Sequence, residues 1–242
     1  MNKEEKYLRN LYESVQYDSE LFNIYIGEDK VFLGAMFPES DNSNESLFFM
    51  CETLYDSIID LDQKLKKSFN LALFWAYYLE DEKITFFNSQ TIERKEAIYY
   101  TENAVFRTGI LWDLLAQLYN VRYKVNEDPR KVYVSALFQI EAQSSHPNPL
   151  AQEIHNYIIE DEDQSTHSTK KGFWIGNHKY VVDYRNKMTH RNSPNVMAIS
   201  DYDIHFPVSM RYVLKRVIED YFKASEFIKQ LLQEIISDFN GD

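Results

Sequence analysis

Apolar residues recur every three or four positions along most of this chain, the spacing of helices that bury one side. From 46 to about 81 the step runs from Phe48 and Cys51 through Tyr55, Ile58, Leu65 and Phe69 to Phe74, Tyr77 and Tyr78, which predicts one long helix with a single buried stripe. A second long helix is predicted from about 90 to 124. Between Ala104 and Val125 it is apolar on most sides, and its polar stripe is Glu102, Gly109, Asp113, Gln117 and Asn120, with Phe106 among them. A helix apolar nearly all round belongs in the middle of a bundle. Two readings of the stripe stay open: a narrow solvent face, or a polar cleft in which Asp113 and Gln117 orient a cation such as Arg185, with Gly109 allowing close helix approach.

Shorter helices are expected over 3–15, over 149–161 with Leu150, Ile154, Tyr157 and Ile158 inward, and over about 173–191. Another starts at Pro129, where a missing N–H costs nothing, and places Val132, Leu137 and Ile140 on its apolar side. A last long helix runs from Pro207 to about Phe239, with Val213, Val217, Tyr221, Ile228, Leu232 and Ile235 along one side. Residues 20–36 read either as a small hairpin around Gly27-Glu28-Asp29 or as a helix and loop. Turn formers mark loops at 38–46, 144–149 and 160–172, and the 192–207 segment reads as a crossover. The expected fold is all-α, an up-and-down helical bundle. Residues 86–242 form its core, and residues 1–85 form a helical extension packed on it.

Composition fits that reading. The 242 residues are 44% hydrophobic and 15% aromatic, enough for a sizeable core, and only 6 Gly and 6 Pro allow few turns. Cys51 is the one cysteine, so no internal disulfide is possible, and a cytoplasmic protein is expected. Inside the run SLFFMCETLY it reads as a small buried hydrophobe rather than a nucleophile. The charged N-terminus lacks a signal core, and the run FNLALFWAYYL is far shorter than the ~20 residues of a membrane span. A soluble protein with no membrane partner is expected. GxSxG, GxGxxG and GxxxxGK[ST] are all absent, which removes the common hydrolase and nucleotide-binding readings.

Charge is uneven. The net charge is −12, which repels a phosphate backbone. Between Gln164 and Pro194, however, Lys170, Lys171, Lys179, Arg185, Lys187 and Arg191 stand against Asp183 alone. That window carries +5 and the rest of the chain −17. It reads either as a solvated helix face or as a phosphate-contacting patch, with Lys179, Lys187 and Arg191 as RNA-binding candidates.

The window contains Arg185, Asn186 and His190, a set that can cleave RNA without a metal. A neutral imidazole can take the proton of a ribose 2′-OH, because its ordinary pKa lies near ~6.5. A guanidinium can hold two phosphate oxygens and stabilise the pentavalent transition state, and the adjacent amide can orient either partner. Arg185 and His190 lie about 140° apart around an ideal helix. Arg reach, local distortion or pairing across two subunits would have to close the site. The spacing alone is weak, and a structural alternative stands beside it: Arg185 as a salt-bridged helix residue and His190 as a cation near the helix C-terminus. A metal site built from several of His146, His155, His167, His178, His190 and His205 is a further alternative, without HExxH or ExxH spacing to support it.

Arg185-Asn186-Lys187-Met188-Thr189-His190 resembles the R-x(4–6)-H signature of the HEPN superfamily, including the polar residue after the arginine. The helix order over about 88–240 is also similar. The resemblance implies a helical bundle that dimerises and a site where two such motifs converge. It implies a metal-independent endoribonuclease leaving 2′,3′-cyclic phosphate ends, with no cofactor and no metal. Members act as toxins or in phage defence, so an antitoxin or nucleotidyltransferase partner is implied as well. Others are silent binding or dimerisation modules. Carried onto this chain, Arg185 binds the scissile phosphate, Asn186 positions it, and His190 is the base, or the acid from the other subunit.

Overall fold

The computed structural model describes residues 2–22, 25–26, 29–30, 44–78, 91–125, 128, 131–161, 173–190, 199–200, 203–204 and 208–240. Among them the chain is all-α. Seven helices occur: α1 Lys3–Glu13, α2 Asn44–Tyr78, α3 Ile92–Tyr123, α4 Val134–Ala142, α5 Pro149–Ile159, α6 Asn177–His190 and α7 Met210–Asn240. Two antiparallel ladders of two-residue strands accompany them, β1 Tyr25–Ile26 with β2 Asp29–Lys30 and β3 Ile199–Ser200 with β4 Asp203–Ile204. The first ladder is the hairpin alternative for 20–36. Pro129, most of the expected 160–172 loop and most of the crossover lie outside the described residues. No described helix is long and apolar enough to cross a membrane.

The helix starts follow local chemistry. Asn2 Oδ1 accepts the N–H of Glu4 at 3.0 Å, and Glu4 and Glu5 place negative charge on the first turn of α1. Asn148 Oδ1 accepts from Leu150 N at 2.8 Å and Ala151 N at 3.3 Å, with Pro149 at the first helical position of α5. The motif helix begins at Asn177, four residues later than the sequence pattern suggests. Gly176 before it takes φ 69°, a left-handed conformation that no helical residue adopts and that glycine adopts without a Cβ penalty.

Packing divides the chain into two compact units, residues 1–15, 63–110 and 156–223 in one and 16–62, 111–155 and 224–242 in the other. In the first, Phe69 of α2 is fully buried, 5.6 Å from the Tyr12 ring of α1 and 5.2 Å from the Tyr221 ring of α7. Arg107 of α3 donates to Ser68 Oγ of α2 at 2.9 Å, and Tyr77 donates to Glu4 at 2.9 Å. In the second, Phe22 packs on Phe48 and Tyr55, Trp112 on Phe227, and Tyr119 on Phe138. Cys51 is buried there, and burial pushes its thiol up to about 12, so it is inert as a nucleophile at neutral pH.

Three expected core positions are corrected. Phe74 and Tyr78 are exposed, because Leu73, Ala76 and Tyr77 take the inward side of the last turns of α2. Ile140 is also exposed, since α4 buries Leu137 and its neighbour Phe138 instead.

Candidate functional site

Helix α6 buries Asn177, His178, Val181 and Tyr184, one side of the helix at steps of three and four. Arg185 lies about 40° from Val181 around that helix, at the edge of the packed side. It is half-buried. Its side chain crosses α3 at Gly109. A Cβ built on Gly109 would meet Arg185 Nη1 at 2.6 Å, Cδ at 3.5 Å and Cζ at 3.6 Å. The glycine therefore forms the seat of the guanidinium: what comes close to it is the Arg185 side chain. The Arg185 guanidinium makes no hydrogen bond or ion pair with any described residue. A half-buried cation with no carboxylate partner among the described residues has donors to offer an anion.

The other motif residues surround this seat unevenly. Asn186 and Lys187 are exposed. Thr189 Oγ1 donates to the Arg185 carbonyl at 3.2 Å and the Asn186 carbonyl at 3.1 Å, so the hydroxyl is bonded back onto its own helix. His190 is the last residue of α6 and its imidazole lies outside the described residues, as does Arg191. Lys179 is exposed and paired with Asp161. Asp113 is exposed and Gln117 half-exposed on the 111–123 part of α3, in the other compact unit from Arg185.

Beside the motif lies a buried polar cluster that the sequence pattern does not single out. Arg216, Glu219 and Asp220 of α7 are fully buried. Arg216 Nη2 donates to the carbonyls of Ile175 at 3.2 Å and Gly176 at 3.0 Å. Its guanidinium lies 5.1, 4.7 and 5.8 Å from the ring centres of Trp174, Tyr180 and Tyr212. Glu219 Oε2 accepts from the Trp174 N–H at 2.8 Å and Asn177 Nδ2 at 3.2 Å, and Oε1 accepts from Tyr7 Oη at 3.1 Å. Asp220 Oδ1 accepts from Tyr157 Oη at 3.0 Å and faces His178 Nδ1 at 3.6 Å. A signal for this cluster was available: on an ideal helix Asp220 falls about 20° and Arg216 about 60° from Val213. Charge on an apolar stripe marks a buried polar network.

Among the described residues no group of three His, Cys, Asp or Glu side chains could hold a metal ion. His167 and His205 lie outside them. No protein-family model, curated protein or solved structure matches this chain.

Proposed function

We propose that this protein is a HEPN-type, metal-independent endoribonuclease that works as a homodimer. The observation that carries the reading is the Arg185 guanidinium, half-buried on Gly109 and without a partner among the described residues. His190 takes the proton of a ribose 2′-OH, and the 2′-oxygen attacks the adjacent phosphorus. Arg185 binds the non-bridging oxygens as negative charge builds in the pentavalent state. The P–O5′ bond breaks, and His190 of the second subunit protonates the leaving 5′-oxygen. The products are a 2′,3′-cyclic phosphate and a 5′-hydroxyl. The second subunit supplies what the geometry of one helix lacks, since Arg185 and His190 diverge by about 140°. Lys179, Lys187 and Arg191 supply positive potential for RNA in an otherwise acidic chain. The test is incubation of the purified protein with a mixed RNA pool in EDTA. Cyclic phosphate ends are expected; intact RNA across the pool overturns the reading.

A second reading, a catalytically silent dimerisation or binding module, shares one surface with the first. Ile92, Tyr99, Phe106 and Ile110 of α3 are 74%, 59%, 39% and 48% exposed and fall within about 40° of one another on an ideal helix. Both readings use that stripe as the dimer face. Phe106→Glu is expected to weaken the dimer at least about tenfold while the monomer stays folded, since the ring is partly solvated and the mutation places a charge in the interface. Sedimentation equilibrium measures it. An unchanged dimer constant removes the stripe from the interface. A wild type that dimerises but leaves RNA intact selects the module.

A further inference from the structure

The 63–78 half of α2 turns one side to the core and leaves the other to solvent. Leu65, Phe69, Leu73 and Ala76 are buried on the first side. On the second, Lys64, Lys67, Phe74, Trp75 and Tyr78 fall within about 100° of one another around an ideal helix and span about 21 Å along its axis. Both lysines are exposed, Trp75 is half-buried, and Phe74 and Tyr78 keep about half or more of their surface in water. The three rings form one cluster. Phe74 and Tyr78 lie nearly parallel, 6.0 Å apart at 21°. Trp75 stands edge-on to both, 4.9 Å from Phe74 at 76° and 6.2 Å from Tyr78 at 84°. Single apolar residues on a surface need no explanation, whereas a contiguous trio of rings points to a ligand.

Charge says what kind of ligand. In a chain of net charge −12, residues 63–78 hold Lys64, Lys66 and Lys67 and no acidic residue. Lys66 turns away from the ring face and donates to the Val15 carbonyl at 2.6 Å, a neutral partner that leaves its charge uncompensated. Lys67 makes no hydrogen bond or ion pair with any described residue. The face is thus cationic at one end and aromatic at the other, where the rest of the chain repels anions.

We propose that this face of α2 binds single-stranded nucleic acid, with unpaired bases stacked on Phe74 and Tyr78 and the phosphates running over Lys64 and Lys67. Every base has a flat π-face, so rings bind single strands with little regard to sequence. An ammonium is a compact charge suited to a phosphate. The two rings already stack on each other, so bases take their outward faces while Trp75 braces them from the side. A duplex keeps its base faces inside its own stack and cannot use the rings. That the strand held here is the one cut at Arg185 rests on the nuclease reading; its binding to α2 does not.

Fluorescence anisotropy with an unstructured 2′-O-methyl oligonucleotide of about 12 residues tests the face. The probe has no free 2′-OH, so the cleavage chemistry cannot consume it, and a failure to bind is distinct from a failure to cleave in EDTA. The wild type is expected to bind it, and to bind its duplex at least about tenfold more weakly. Phe74→Ala combined with Tyr78→Ala should weaken the single strand more than about tenfold. The fold should hold, since both rings are largely solvated. Phe74→Leu with Tyr78→Leu should lose as much, because leucine keeps apolar area and offers no face to stack on. Lys67→Gln should reduce the slope of log affinity against log salt by about 0.7, the share of one phosphate contact. A wild type that leaves the probe free overturns the proposal, as does equal affinity for the duplex. Full binding by the alanine pair overturns it too and leaves the 164–194 window as the nucleic-acid surface. Full binding by the leucine pair rules out stacking and assigns the face to an apolar protein partner. Dissociation of the dimer in the alanine pair, read by sedimentation, assigns it to a second copy of this chain instead.

Discussion

Arg185→Ala is expected to lower RNA cleavage about 10²–10³-fold, the usual loss when one preorganised donor to a developing oxyanion is removed. The melting temperature should shift by no more than a few degrees. The guanidinium has no described hydrogen bond or ion pair to lose, and its alkyl stem is only partly buried. Arg185→Lys should recover little, since an ammonium on a flexible stem cannot grip two phosphate oxygens as a planar fork does. His190→Ala is expected to cost about 10²–10⁴-fold through loss of the general base. Wild-type and variant rates in EDTA, beside thermal melts, give the measurement. Full cleavage by Arg185→Ala would remove the motif from the chemistry. A large drop in melting temperature with it would make Arg185 structural, the alternative that its spacing in the sequence leaves open.

The helices follow from periodicity, and periodicity has a known blind side. Long helices declare themselves because many residues vote. The spans predicted for α2, α3 and α7 lie within three residues of the observed ends. Single positions do not have that redundancy. At the end of α2 a step of three or four fits Phe74 and Tyr78 as well as Leu73 and Tyr77, and only packing decides that the first pair faces water. The same holds for Ile140 against Phe138 on α4. The 173–176 stretch reads as helix by its apolar residues, Phe173, Trp174 and Ile175. Tertiary contacts override that preference: Arg216 takes the Ile175 carbonyl, Glu219 takes the Trp174 N–H, and the left-handed Gly176 starts the helix with its own carbonyl accepting from Tyr180 N–H. On the polar stripe of α3 Gly109 reads as room for a neighbouring helix, and the fold shows that the Arg185 side chain fills the space. Arg216, Glu219 and Asp220 were legible too, as charge within an apolar stripe, yet the apolar residues around them mask that signal when only they are counted.

Gly109→Ala separates a seat for Arg185 from a coincidence of packing, and its two effects run in opposite directions. In the middle of α3 alanine is favoured over glycine by about 0.5–1 kcal/mol, so thermal stability should hold or rise. The new Cβ meets Arg185 Nη1 at 2.6 Å, which no methyl and guanidinium can share. The atom that must yield is the far end of a flexible side chain, so the helices stay in place and the guanidinium swings off its seat. A displacement of about 1 Å from a reactive geometry costs about 10²-fold in rate. Cleavage should therefore fall toward the level of Arg185→Ala in a protein that melts no earlier than the wild type. Combining Gly109→Ala with Arg185→Ala should add nothing further to the loss, because both act on one group. Undiminished cleavage in Gly109→Ala would show that Arg185 reaches phosphate from another pose. Additive losses in the double variant would show that Gly109 serves the site by a route other than Arg185.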